Sequence, residues 1–327
     1  MNRKWMLASL MMFIMLVLAA CGGGSSEESN ASNKEEDDAK TEESSEDGTK
    51  TIEYLGKSYE IPANAERIVI TGAMEAMEDA LALDVHPVGA ISVGGEFPEI
   101  YTSITDKAES IGEKRQPNFE KVLELQPDII LATSKFPADV TEKLEKIATT
   151  IPVSYISTDW EANLKLMGEI SGKEDKAEEV LNAYKEDVET AKASIAGELE
   201  GKKVAAVRIR AGQVFVYPQD VFVNPVLYSE LGLEVPAEIE AAENQAQLSI
   251  EQLADMNPDH LFIQFAESEN AEAKNALEDL QNDPIVKNIT AFKEDQVYVN
   301  TIDPLLEGGP ANSRVEFLKA LQEDLSK

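Results

Sequence analysis

Two arginines sit two positions apart in "AAVRIRAGQVFVYP", residues 205–218 of a chain whose formal net charge is −33. Val207 and Ile209 alternate with Arg208 and Arg210, so both guanidinium groups project from one face of a strand. Ala211-Gly212 is a turn signal, and the second run, Val214-Phe215-Val216-Tyr217, alternates again, which predicts a hairpin that places aromatic rings beside the arginines. A guanidinium is always charged and donates hydrogen bonds in a planar fork, which suits the paired oxygens of an oxyanion. A solvent-facing strand edge bridged to nearby glutamates would show the same alternation.

Other chemistry is poorly supplied. Cys21 is the single cysteine, so there is no intrachain disulfide and no cysteine metal cluster. Two histidines, His86 and His260, are too few for a histidine zinc site, and both are expected to be structural, one before Pro87 and one after Pro258-Asp259. No Gly-x-Ser-x-Gly elbow with a plausible histidine partner is present, and no Tyr-Tyr pair for direct ferric-ion ligation. An enzyme is therefore not expected, nor a resident metal or cofactor. The acidic balance excludes nucleic acid as a partner, because that requires a basic footprint.

The elements that position the arginines follow from periodicity. The body alternates strand and helix: a strand over 67–71, a helix over 74–83, a strand over 88–91, a helix over 120–125 and strands over 128–132 and 153–156. That order implies a mainly parallel sheet flanked by helices. A repeat doubles it. "NFEKVLELQPDIIL" (118–131) and "SIEQLADMNPDHLFI" (249–263) align at a constant offset of 131 positions, Glu120 on Glu251 and Asp128 on Asp259 alike. Each copy ends a short helix, turns at Pro-Asp and begins an apolar strand. Between the copies, Ala177, Val180, Leu181, Tyr184, Val188, Ala191 and Ile195 recur at three- and four-residue steps, one long amphipathic helix over 175–201. The expected architecture is α/β: two Rossmann-like lobes joined by one long interlobe helix, with a ligand cleft between the lobes. The expected domains are a first lobe over 51–160, interlobe helices over 161–201 and a second lobe over 202–327.

The N-terminus is expected to be removed. Arg3 and Lys4 precede an apolar run, Met6 to Ala20, which ends in Leu18-Ala19-Ala20-Cys21. This is a lipobox: a signal peptide over 1–20, followed by a cysteine that accepts lipid. Residues 21–50 are Gly, Ser, Asn, Glu, Asp and Lys almost throughout, a disordered acidic tether. A lipid-anchored protein on the outer face of a Gram-positive cell membrane is expected.

Lipobox, tether, lobe, long helix and lobe together resemble the iron-siderophore and cobalamin class of ABC-transporter substrate-binding lipoproteins, class III substrate-binding proteins with a helical backbone. Within it the chain is most similar to the catecholate (bacillibactin-type) siderophore-binding lipoproteins of bacilli. The resemblance covers roughly residues 51–327 and rests on "MEDALALDVHPVGAIS" (77–92), "SKFP" (134–137), "VRIRAGQVFVYP" (207–218), "NPDHLFIQF" (257–265) and "VYVNTIDPLLEGG" (297–309). It implies capture of an Fe(III)-siderophore, a trianion for a tris-catecholate, by Arg208, Arg210 and Lys135, with Phe97, Phe136, Phe215, Tyr217 and Gln245 as further contacts. It implies that Glu120 and Glu251, one per lobe, dock on arginines of the permease, whose ATPase subunit drives import. A preference for the N-terminus of a helix would equally explain both glutamates. A monomer is expected. Two positions depart from the catecholate pattern: Glu96 stands where close relatives carry lysine, and Glu243 matches another basic position. These two charge reversals would favour a neutral or cationic hydroxamate complex unless they lie outside the contact shell; ferric citrate and haem, the latter through Tyr217 or Tyr228, are the other alternative ligands. A surface lipoprotein with no transport role is the remaining alternative.

Overall fold

A computed structural model describes residues 48–325. The signal peptide, Cys21 and nearly all of the tether lie outside the described residues. The boundary placed at residue 50 moves: strand β1 (Thr49–Tyr54) already begins at Thr49 and pairs antiparallel with β2 (Lys57–Pro62). Leu55 and Gly56 between them both take positive φ, 46° and 77°, the two-residue turn that matches strand twist.

The first sheet has six strands in the order β6-β5-β4-β3-β7-β8. They are β3 (Ile68–Thr71), β4 (Gly89–Ser92), β5 (Glu109–Glu113), β6 (Gln116–Pro117), β7 (Ile129–Thr133) and β8 (Thr150–Val153). All neighbours are parallel except β5 and β6. Every residue of β3 and β7 is buried, as expected for parallel strands covered by helices on both faces. The helices are α1 (Met74–Leu83), α2 (Thr102–Thr105), α3 (Phe119–Glu124) and α4 (Ala138–Glu145). The strand expected over 153–156 instead ends at Val153. Beyond it, side chains replace the ladder: Tyr54 Oη accepts from Ser154 N at 2.8 Å, and Ser154 Oγ accepts from Ile156 N at 3.2 Å. Pro152 is tolerated because β8 is an edge strand.

Two helices follow, α5 (Trp160–Ser171) and α6 (Glu174–Leu199). The stripe Ala177, Leu181, Tyr184, Val188, Ala191, Ile195 of α6 is buried, as its periodicity requires. The second sheet has the order β11-β10-β9-β12-β13. Its strands are β9 (Val204–Arg210), β10 (Gln213–Val216), β11 (Ala246–Leu248), β12 (His260–Phe265) and β13 (Val297–Val299). Its helices are α7 (Ala237–Glu240), α8 (Ile250–Met256), α9 (Ala276–Asn282), α10 (Thr290–Lys293) and α11 (Ala311–Leu325). The last of these meets the second sheet through Phe317, whose ring lies edge-on to Phe262 of β12 at 5.4 Å. It also packs on α6, on α1 of the first lobe and on α5, so helices of both halves of the chain meet there. None of the described helices is long and apolar enough to cross a membrane.

The 131-residue repeat is a physical one. Asn118 and Ser249 cap their helices by accepting from the third residue on, Lys121 N and Gln252 N. Gln126 and Asn257 both take left-handed φ, 46° and 45°. Asp128 and Asp259 then each accept from the backbone entering the adjacent strand, at Arg67 N and Lys203 N, both at 2.8 Å. Arg67 and Lys203 each send the side chain to the last carbonyls of the short helix, Leu125 O and Met256 O.

Candidate functional site

β9 and β10 form the predicted hairpin, with Phe215 directly across from Arg208 and Gln213 from Arg210. Ala211 and Gly212 have φ of 46° and 75°, again the tight turn favoured between twisted strands. The alternation of β9 puts Arg208 and Arg210 on one face, and that face borders a cleft of about 350 Å³. The cleft draws on both lobes. Glu75 on α1, Lys135 just past β7 and the 154–157 segment come from the first. Arg208, Arg210, Tyr217, Gln245 and Glu307 come from the second, and Trp160 and Asn163 of α5 lie between. The lobes are bonded at this seam: Ser157 N donates to Asp220 O at 2.8 Å and Ser157 Oγ to Phe222 O at 3.0 Å.

The arginines are neither free nor solvent-facing. One carboxylate, Glu269, holds both. Arg208 donates from Nε at 2.9 Å and Nη2 at 3.1 Å, and Arg210 from Nε at 3.1 Å and Nη2 at 2.7 Å. Arg208 is 3% exposed; Arg210 is more open and donates from Nη1 to Gln245 Oε1 at 3.2 Å. Burial pushes the Glu269 carboxyl up, but the two guanidinium groups overcome that and hold it below the usual carboxylate range. One carboxylate for two guanidiniums leaves the trio Arg208, Arg210 and Glu269 with a formal charge of +1 in a largely buried site. Tyr217 Oη, buried beside them, has no hydrogen-bond partner.

Lys135 faces this pair from the first lobe. Its ammonium lies 3.6 Å from Glu75 Oε1 and 4.3 Å from the centroid of the Tyr155 ring, and its side chain is 46% exposed. A second lysine, Lys114 in the β5–β6 turn, pairs with Glu307 across the lobes. Burial raises Glu307, yet Lys114, Arg208 and Lys135 together hold its carboxyl far below the usual range.

Of the residues expected at the site, Arg208, Arg210, Lys135, Tyr217 and Gln245 line the cleft, and so does Glu243. Phe97, Phe136 and Phe215 do not. Phe97 and Phe136 are half-buried packing residues against the core, and the Phe136 ring occupies the space over Gly72. Phe215 shares the Arg208 face across the hairpin but falls outside the lining. Glu96 is exposed in the turn closed by the Val93–Glu96 bridge and is also outside the lining. Tyr228 is buried and outside the cleft lining, with its hydroxyl donated to Val204 O at 3.0 Å. Glu120 and Glu251 stand exposed in the first turns of α3 and α8. His86 lies between Asp84 and Asp106 on the surface, and His260 stacks on Tyr298. Among the described residues no cluster of His, Cys, Asp and Glu could hold a metal ion.

Sequence reasoning missed Glu75, Glu269, Glu307 and Tyr155. Glu269 stands 61 and 59 residues from its arginines and carries no local signal. Glu75 did carry one: with Glu78 and Asp79 it puts three acids within one turn of a helix that is otherwise Met, Ala and Leu. On the structure all three are buried. Glu78 caps the segment entering α11, accepting from Glu307 N at 2.7 Å and Ser313 N at 3.1 Å.

Comparison with known proteins places the fold. The chain is 49% identical over 278 residues to the iron-uptake system-binding protein of Bacillus subtilis, covering 85% of this chain and 88% of that protein. It is 29% identical over 253 residues to the iron(3+)-hydroxamate-binding protein YxeB of the same organism, covering 74% of this chain and 75% of that protein. The crystal structure of the triscatecholate siderophore binding protein FeuA from Bacillus subtilis, complexed with ferri-bacillibactin, superposes with a TM-score of 0.82 at 49% identity, covering 85% of this chain and 98% of that one. A periplasmic binding protein family, Peripla_BP_2, matches residues 69–303, and the chain belongs to that family.

Proposed function

We propose that this chain is the substrate-binding component of an ABC importer, and that it captures a ferric siderophore of the tris-catecholate type between its lobes. The observation that carries this is the facing arrangement of cations: Arg208 and Arg210 fixed side by side by Glu269 in the second lobe, with Lys135 opposite them in the first. The siderophore already fills the coordination shell of its iron, so the protein needs no metal ligands and reads the outer oxygens and the charge. Guanidinium forks match those oxygens, and contacts from both lobes bridge the cleft. The relative solved with ferri-bacillibactin supports the choice of ligand, and Glu243 on the cleft wall is the feature that opposes it.

Trp160 provides the test. It lies in the cleft lining, and the other tryptophan, Trp5, belongs to the signal segment. Titration with ferri-bacillibactin is expected to quench Trp160 saturably, while a ferric hydroxamate, ferric citrate and haem do so weakly. Quenching by the hydroxamate alone would assign the cleft to a cationic or neutral complex and defeat the catecholate proposal.

Delivery follows from the repeat. Glu120 and Glu251 occupy equivalent turns of the two lobes, exposed and matched, which suits a permease with two equivalent basic patches. Glu120→Arg with Glu251→Arg is expected to leave binding intact and to reduce cellular uptake of the ferric complex at least tenfold. Full uptake by that variant would remove the docking role. We also propose the two-lobed division at 160 and 202, a monomer, and a lipid at Cys21 that anchors the protein to the outer face of the membrane.

A further inference from the structure

Glu75 occupies an unusual position in the cleft. It is 4% exposed, its Oε2 has no hydrogen-bond partner, and it lines the same cavity as the arginines. Among the described residues its ion-pair partner is Lys135, at 3.6 Å from Oε1, with Lys114 a further cation nearby. Other charges around it are unfavourable. Glu78 and Asp79 follow it on α1, Glu307 approaches from the segment before α11, and Lys114 is committed to Glu307. The Tyr101 hydroxyl, buried and without a partner, is the remaining titratable neighbour. Burial, then Glu307, raises the Glu75 carboxyl above its ordinary value, against the pull of Lys135 and Lys114.

A polyanionic ligand changes this balance in one direction. Lys135 is the exposed member of its pair, so the ligand oxygens recruit it. Glu75 then loses its cation while a second anion arrives beside it in a site with little water. An uncompensated buried carboxylate is costly, and neutralisation is the available relief. A neutral carboxyl has an O–H to donate, and Glu75 lines the cleft with its buried Oε2 unpartnered.

We propose that Glu75 is a ligand-contacting, specificity-determining residue that takes up one proton from solvent when the cleft accepts an anionic ferric complex and donates the resulting O–H to a ligand oxygen. This rests on the anionic-siderophore function above. Binding raises the proton affinity of Glu75, so the extra stabilisation is present at low pH and is lost as pH rises through the value in the loaded state. A cationic complex gains nothing from this residue, which makes Glu75 a selector for negative charge.

The probe is preformed ferri-bacillibactin, whose catecholate oxygens are already deprotonated by the metal. Calorimetric titration of the whole chain in phosphate and in Tris, buffers of unlike ionisation enthalpy, counts the protons exchanged. Uptake approaching one proton per ligand is expected, with affinity falling up to ~10-fold per pH unit across the titration window. Glu75→Gln, isosteric and permanently neutral, is expected to take up no proton, to flatten the pH profile and to bind more tightly than the parent chain at alkaline pH. Tight binding by the parent chain without proton uptake overturns the proposal alone, and uptake unchanged in Glu75→Gln does the same. Absence of binding by the parent chain overturns it together with the function on which it rests.

Discussion

Replacing Arg208 and Arg210 together by glutamine is expected to weaken ferri-bacillibactin binding on the order of a thousandfold, while Arg210→Gln alone weakens it roughly ten- to a hundredfold. A hydrogen bond to a charged group contributes about 1.5–3 kcal/mol, and about 1.4 kcal/mol is a factor of ten in affinity. The double variant loses both contributions and adds a third effect. Glu269 now accepts from four arginine nitrogens; without them it is a carboxylate turned toward a trianion. Glu269→Gln placed on the double variant removes that repulsion and is expected to recover about tenfold in affinity. Trp160 quenching measures all three proteins, and circular dichroism confirms that each is folded. A triple variant no better than the double would show that Glu269 does not face the ligand. A double variant within tenfold of the parent chain would show that the arginines do not carry it. The two arginines are not equivalent in cost. Arg208 is buried and also donates from Nη2 to Pro304 O at 3.4 Å, so its loss is expected to lower thermal stability more than the loss of Arg210.

The hairpin that presents the arginines was legible because its signals are local: alternation, a small-residue turn, alternation again. The same holds for α1 over Met74–Leu83, whose predicted and observed bounds coincide, and for the α6 stripe. The repeat was legible because two copies in register constrain each other; the left-handed φ shared by Gln126 and Asn257 came only with the structure. What escaped was non-local. No pattern near Glu269 announces the arginines some 60 residues earlier, and nothing in "ANSRVEFLKALQEDL" says that α11 reaches α1 and α6 as well as Phe262 of the second sheet. The strand expected over 153–156 failed for a related reason. Val153 to Ile156 is apolar enough for a strand, but the Tyr54 hydroxyl takes the Ser154 amide, and the chain turns into the cleft. The aromatic expectations split on geometry: Tyr217 follows the arginine face into the cleft, and Phe97 and Phe136 have apolar neighbours to pack on.

Arg314 is where loss of one side chain is expected to damage the fold most. It is fully buried on α11 and joins four parts of the molecule. Nη1 pairs with Glu230, Nε donates to Gly309 O at 2.6 Å, Nη2 donates to Ser157 O at 2.6 Å, and the guanidinium lies 4.9 Å from the centroid of the Trp160 ring. Ser157 and Gly309 line the cleft from opposite lobes, and a side chain on Gly309 would collide with Ser157. Arg314→Ala leaves Glu230 beside Tyr184 with no cation and strands two carbonyls, a change that costs about 3–5 kcal/mol for a broken buried pair. For a body of this size that lowers Tm on the order of 10 °C. Arg314→Lys keeps the charge but not the three directed bonds, and it is expected to recover less than half of the loss. Glu230→Gln added to Arg314→Ala removes the orphaned charge, so the double variant is expected to be more stable than Arg314→Ala, a non-additivity that scanning calorimetry resolves. Additive losses would mean that Arg314 and Glu230 act separately. Coupling between them would mean that the floor of the cleft is held by an ion pair beneath it, and the emission of Trp160 would then shift in Arg314→Ala before any ligand is added.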